Sequence, residues 1–288
     1  MSLFIQQLFD GLALGGVYCL AAIGLTLVFG VLRIPNIAHG ALYMLGAYVT
    51  YFFLVSVGVP YIAAIGLAAV VLALVGIAME RVVFHPLRNA PHTHHMIAAV
   101  GAMFFFQALA QAIWGADFRR MDSPVTGSVT ILGTQVSWQR VIIVLTAVLV
   151  LGLLTWFIKR SIHGQTIEAI EQDRTGSSLV GISPNKVSML TFGLAAALAT
   201  IAAGLVAPIN LLSPTMGDAL GIKVFAIIIL GGLGSLPGAI VGGFTLALAE
   251  VMTATYVSAV AGEVVAFVVL VLVLAIRPTG LFAKAVQR

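Results

Sequence analysis

The sequence predicts an all-α polytopic membrane protein of about 8–9 hydrophobic passes, with interrupted helices in each half. Two observations carry that prediction. The first is composition: of 288 residues, 61% are hydrophobic and 8% charged, about a third of the roughly 25% charge usual in a soluble domain, and the mean hydropathy is +1.13. With 14 Lys and Arg and 10 Asp and Glu, a chain this long cannot build a water-soluble surface, so the bilayer is its expected solvent. The second is pattern. The apolar runs are continuous over lengths near the roughly 20 residues that one crossing needs, without the alternation of a barrel strand. Only helices and closed barrels satisfy the backbone inside lipid, so the runs are read as helices. The whole of 1–288 forms a single transmembrane domain, and no length remains for a sizeable soluble one.

The elements follow between sparse charges. The N-terminus, from Met1 to Asp10, has no basic region and no small-residue cleavage site, and reads as the start of a mature chain. Residues 8–58 form a long apolar stretch interrupted at Arg33-Ile-Pro-Asn-Ile-Ala-His-Gly40. Further runs lie at about 96–114, 141–158, 187–212, 222–254 and 259–276, and the 222–254 run is interrupted at Gly231-Gly-Leu-Gly-Ser-Leu-Pro-Gly238. Pro35 removes a donor and disfavours helix at Ile34, and the glycine cluster lowers helix propensity at successive positions. Each interruption is either a tight turn between two spans or an unwound centre between half-helices. The first form at 33–40 puts the N-terminus outside, and a re-entrant form puts it inside.

Basic residues orient the chain. Arg81, Arg88, Lys159, Arg160, Arg174, Lys186, Arg277, Lys284 and Arg288 fall in three segments separated by even numbers of passes, and together they outnumber Arg119, Arg120, Arg140 and Lys223 on the other side. The positive-inside rule makes the first group cytoplasmic.

Interrupted apolar segments in the two halves of a polytopic chain point to a transport site. The first offers Asn36 and His39, with Gly40 beside them and Tyr43 one turn on; the second offers bare backbone at Gly231, Gly232 and Gly234, with the Ser235 hydroxyl. Read as plain structure, both are turns whose glycines serve helix crossing. Glu250 and Glu263 lie in the last apolar region. Intramembrane carboxylates suggest ion relays, but a turn at 253–260 would bring both to water.

Other motifs carry less. Cys19 is the only cysteine, so there is no internal disulfide and no cysteine zinc site. His92-Thr-His94-His95 lacks metal-ligand spacing and reads as a solvated loop, and no catalytic or metal residue is assigned. Neither a phosphate-cradling GxxxxGK[ST] nor a GxSxG elbow is present. The net charge of +4 is no nucleic-acid signature. Gly11-xxx-Gly15, Gly217-xxx-Gly221 and Gly238-xxx-Gly242 permit close helix approach, a frequent pattern among 30 glycines.

The cytoplasmic stretch 163–186 holds Glu168, Glu171 and Asp173 among the chain's ten acids. Its spacing predicts a short amphipathic helix, weakened at Gly176, ended at Gly181 and followed by a new element at Pro184. It is either a charged loop obeying topology or a docking helix for a cytosolic partner.

Three segments together resemble a known family. They are Gly24-Leu-Thr-Leu-Val-Phe-Gly30 through Asn36, His39, Gly40 and Tyr43 to Tyr48; Gly164 through Asp173 to Gly181-Ile182; and Leu230-Gly-Gly-Leu-Gly-Ser-Leu-Pro-Gly238 to Gly243. In order and spacing they are similar to the LivH-type permeases of bacterial branched-chain amino acid ABC importers, over nearly the whole chain. The second segment departs from the family pattern at Glu168-Ala169 and Gly176-Ser177, and strict EAA spacing is absent.

The resemblance implies a multi-pass inner-membrane permease subunit that is not itself an enzyme and binds no cofactor, with ATP and Mg held by two cytosolic ATP-binding subunits. It implies a second permease (LivM-like, or a second copy of the chain) and a periplasmic substrate-binding protein. It makes about 163–183 the coupling segment, with Glu168, Asp173, Arg174, Gly181 and Ile182 as coupling residues, and puts Asn36, His39, Gly40, Tyr43, Gly231, Gly232, Gly234 and Ser235 near the path. The solute would be a branched-chain or other hydrophobic amino acid, with amides, urea and aromatic acids open as alternatives. The competing reading is a stand-alone ion-coupled transporter or channel using Glu250 or Glu263.

Overall fold

The computed structural model describes residues 2–34, 36–123, 125–131, 133–277, 280 and 282; Pro35, Lys284 and Arg288, named above, lie outside them. Among the described residues six helices are long and apolar enough to cross a membrane. They are α1 (Ser2–Leu32), α3 (Tyr61–Met79, continued by a π turn to Phe84), α4 (His92–Trp114), α5 (Trp138–Arg160), α8 (Pro184–Val206) and α10 (Leu236–Tyr256). Shorter helices complete the fold: α2 (His39–Tyr51, with a π turn to Ser56), α6 (Ile162–Gln172), α7 (Arg174–Leu179), α9 (Met216–Gly231) and α11 (Ala259–Ile276). Nine passes would need α2, α9 and α11 all to be counted with the six, and eight would need two of them.

The structure departs from the sequence expectation in four places. A two-stranded antiparallel hairpin, β1 (Ser128–Ile131) and β2 (Thr134–Ser137), interrupts the all-α pattern between α4 and α5; its Val and Thr residues fit a pleated ribbon better than a helix. The histidine cluster opens α4 instead of forming a loop, and His95 is buried. The predicted cytoplasmic helix is two helices, and the break is at Asp173, whose backbone is extended, and not at Gly176. Finally, Glu250 turns inward to partners of its own.

Helices α1 and α8 form the centre: 83% of the apolar window of α1 and 72% of that of α8 are buried, against 22% for α5. Small residues set the close crossings. Gly11 and Gly15 of α1 lie against Leu248 and Phe244 of α10, and Gly46 of α2 lies against Thr200 of α8. Hydroxyls inside the bundle are satisfied locally, Thr26, Thr50, Thr191 and Thr200 each donating to the carbonyl four residues back at 2.7 Å. That geometry keeps polar side chains from needing water in an apolar solvent.

One polar knot ties three helices at a common end. The Tyr61 hydroxyl donates to the Gly204 carbonyl at 2.9 Å, and Gln139 donates to Tyr61 at 2.7 Å and to the Leu205 carbonyl at 2.8 Å. The last carbonyls of α8, which have no partner within the helix, are thereby capped from α3 and α5. Nearby in sequence, Arg140 pairs with Asp10 at 2.5 Å. The start of α1 therefore lies on the same side as the start of α5, the side the charge bias makes external. The interruption at 33–40 is nonetheless no tight turn between two full spans, since α2 resumes beside Ala21, well inside α1.

Candidate functional site

The first interruption brings the chain back into the bundle before helix resumes. Helix α1 ends at Leu32, and Arg33 takes a left-handed backbone, φ 58°, uncommon for a residue with a side chain. After the segment 33–38, α2 begins at His39, whose Nε2 lies 2.9 Å from the Ala21 carbonyl. Ala21 is 11 residues from the end of α1, or about 16 Å along its axis at the α-helical rise. Helix α2 therefore starts against the middle of α1 and not beside its end. Gly24 makes room for the His39 ring: a Cβ there would sit 3.1 Å from Cε1.

The start of α2 meets the start of α9. Gly40 and Gly217 touch backbone to backbone, so that a Cβ on Gly40 would lie 3.0 Å from the Gly217 carbonyl carbon. No side chain larger than hydrogen fits between two main chains at that separation. Two short helices thus begin at one point inside the bundle, each preceded by irregular chain. Non-helical backbone at such a place is tolerated only against protein or a water-filled cavity.

Polar groups collect here. Asn36 and His39 are each 1% exposed. Among the described residues neither amide atom of Asn36 has a hydrogen-bond partner, nor does Nδ1 of His39. An unpaired buried polar group costs about 1–3 kcal/mol, which a purely structural turn has no reason to retain. Tyr43, buried one turn on, forms part of the wall of a cavity of about 420 Å³ between α1, α2, α9 and the 206–211 segment. Tyr18, Asn210 and Lys223 supply its other polar walls.

The second interruption lies elsewhere. Gly231 of α9 packs against the Gly238 backbone of α10, and Gly232 and Gly234 take φ of 99° and 82°. The Ser235 hydroxyl caps α10 by accepting from the Gly238 amide at 3.2 Å. The turn is flanked by Glu171 of α6, whose Oε1 would lie 3.3 Å from a Cβ on Gly234, and the Phe282 amide donates to the Gly231 carbonyl at 3.1 Å. Of these residues Gly234 stands against α6, and neither they nor Asn36, His39 and Gly40 line the cavity that Tyr43 lines.

The pair α6–α7 is anchored on one face and exposed on the other. Ile167 and Ile170 are buried, and Ser161 caps α6 by accepting from the Gly164 amide at 2.9 Å. The Asp173 carboxylate caps α7 by accepting from the Thr175 amide at 2.9 Å, and Gly181, at φ 88°, ends the unit. Arg174, Leu179, Val180 and Gly181 are exposed, and Glu168 and Ile182 are half-buried.

Reading along the sequence missed the charged pair beside the cavity. Lys223 donates to Glu250 Oε1 at 2.5 Å and to the Tyr18 hydroxyl at 3.1 Å, and Tyr18 donates to Glu250 Oε2 at 2.8 Å. The available signal was a lone Lys and a lone Glu within one apolar region, 27 residues apart.

Comparison with known proteins accords with this architecture. The family model described as "Branched-chain amino acid transport system / permease component" matches residues 7–274. The high-affinity branched-chain amino acid transport system permease protein LivH of Escherichia coli (strain K12) is 33% identical, covering 98% of this chain and 96% of LivH. Its counterpart BraD of Pseudomonas aeruginosa is 35% identical with the same coverage. A probable LivH of Methanocaldococcus jannaschii is 28% identical, over 91% of this chain and 87% of that protein. Among solved structures, PsaBC from Streptococcus pneumoniae in complex with Fab superposes with a TM-score of 0.51 at 14% identity, over 97% of this chain and 93% of that one, a likeness of fold. The chain belongs to the branched-chain amino acid transport permease family.

Proposed function

We propose that the chain is the membrane-spanning permease subunit of an ATP-driven importer for branched-chain or other hydrophobic amino acids. The observation that carries this reading is the full-length similarity to permeases named for branched-chain amino acid transport. The paired helix starts at Gly40 and Gly217, with unpaired polar atoms beside them, support a passage at that point. Helices α2, α9 and α11 then complete the crossings beyond the six long helices, in the inner membrane. The passage runs by Asn36, His39, Gly40 and Tyr43. The Gly231–Ser235 turn serves transport indirectly, as the joint between α9 and the cytoplasmic segment.

In this reading residues 163–183 are the coupling segment. Leu179 is 84% exposed and Val180 78% at the end of a capped helix, beside Arg174 and Gly181, and they offer an apolar tip to a cytosolic ATP-binding subunit. The chain supplies a path and no catalysis; ATP and Mg reside on two such subunits. A second permease, LivM-like or another copy of the chain, and a periplasmic binding protein complete the importer. The test is purification of the tagged chain with its partners, followed by reconstitution into liposomes with the binding protein. ATP-dependent uptake of leucine supports the reading. Uptake by the chain alone, without ATP, overturns it in favour of an ion-coupled transporter.

A further inference from the structure

We infer that the cavity walled by Tyr18, Tyr43, Asn210 and Lys223 is a transit site for a zwitterion, in which Lys223 takes the solute's carboxylate and Glu250 its ammonium. The inference deepens the importer reading and rests on it.

The charged pair is difficult to explain by stability alone. Side chains of Lys223 and Glu250 are 17% and 14% exposed, within two mainly apolar helices whose one other charged residue, Asp218, is bonded to Gln107. Desolvating two charges offsets most of their attraction, and apolar replacement of such a pair is often neutral or stabilising. Ionisable groups inside membrane segments mark solute or ion pathways. Lys223 and Tyr18 are in the wall of a cavity, and Glu250 stands behind them, bonded to both and not itself in the wall.

The bonding pattern fits an exchange of partners. The Lys223 ammonium has three donors; Glu250 and Tyr18 accept two. An entering carboxylate can draw the Lys223 ammonium off Glu250 and so open that carboxylate to the entering α-ammonium, with Tyr18 able to turn its hydroxyl to either. Both charges of the protein then stay paired throughout, and no isolated charge is left in an apolar surround. The volume of about 420 Å³ falls within the roughly 300–1,000 Å³ of small-ligand sites. Leu14, Val17, Val206 and Leu220 provide apolar wall for an aliphatic side chain. A cation and an anion side by side suit an amino acid and give no advantage to urea or a simple amide, which carry neither charge.

The test needs two readouts. First, the full chain in lipid nanodiscs is heated with leucine, with 4-methylpentanoate (the carboxylate without the amine) or with 3-methylbutylamine (the amine without the carboxylate). The expected result is a rise in Tm with leucine that neither half-molecule reproduces. Second, ATP-driven leucine uptake by the complete importer is measured for Lys223→Met, Glu250→Gln and the charge-swapped Lys223→Glu/Glu250→Lys. All three are expected to lose about tenfold or more while the importer still assembles, with the swapped pair no better than either single change. Equal shifts with a half-molecule, no shift with leucine, undiminished uptake in Lys223→Met or recovery by the swap each overturn the site; recovery would mean that the pair is structural. Absence of uptake by the unaltered importer would instead sink the importer reading.

Discussion

Gly40 of α2 and Gly217 of α9 bring two helix beginnings into backbone contact inside the bundle. Overpacking a well-filled interior costs about 1–3 kcal/mol, and here the obstacle is main chain, which yields less than a side chain. Gly40→Val is therefore expected to lower the Tm in detergent by several degrees and to abolish uptake. Gly221→Ala, whose Cβ would stand 3.8 Å from the Gly40 Cα, should leave both unchanged. Normal uptake in Gly40→Val would remove the reason for placing the passage at this contact.

The Asp173 cap holds α7 as a separate helix. Asp173→Ala should destabilise it by about 1 kcal/mol and speed amide hydrogen exchange over residues 174–180, while Asp173→Asn, which keeps an acceptor, should exchange nearly as the parent does. Identical exchange in the alanine variant would show that α7 is held by other contacts.

Leu179 and Val180 bury little within this chain, so charging them should spare the fold. Leu179→Glu and Val180→Glu are expected to keep the parental Tm within the effect of ordinary surface changes, about 0.5 kcal/mol, yet to lose the ATP-binding subunit on affinity purification. Retention of that subunit would relocate the docking point.

At the α9–α10 turn, Gly232 has φ 99° and ψ 126°, a region essentially reserved for glycine, where another residue pays about 1–3 kcal/mol. Gly232→Leu should abolish uptake with membrane insertion intact, because the joint beside Glu171 is distorted. Cross-linking between cysteines placed on α6 and on this turn checks the cause: it should fall in the variant, and unchanged cross-linking with lost uptake would point to the passage instead.

The Tyr61 hydroxyl bridges Gln139 and the end of α8. Tyr61→Phe should cost about 1 kcal/mol, read as a lower Tm, and Gln139→Leu more, since it removes the 2.8 Å bond to the Leu205 carbonyl and leaves that group the longer one, 3.3 Å, from Tyr61. Equal stability of Tyr61→Phe and the parent would mean that the carbonyls find other donors.

Much of the fold is legible along the chain, because each apolar run carries its own requirement for intrahelical hydrogen bonds in lipid. Pro184 starts α8 and Gly181 ends the α6–α7 unit as their backbone chemistry predicts. The three small-residue spacings, common by chance, all lie at real helix contacts. The hairpin at 128–137 was not legible, since short polar strands resemble loops. Nor was the break at Asp173, where a side-chain cap outweighs the low propensity of Gly176.

Composition and unbroken apolar runs indicated a helical membrane protein, and motif order indicated its family, since solvent and local backbone preference act on neighbouring residues. Folding was needed to show that the two interruptions lie apart, one at the Gly40–Gly217 contact and the other against α6. It was also needed to join Tyr18, Lys223 and Glu250, which three separate helices supply. Helix crossings set such distances, and crossings depend on how small residues from distant parts of the chain meet.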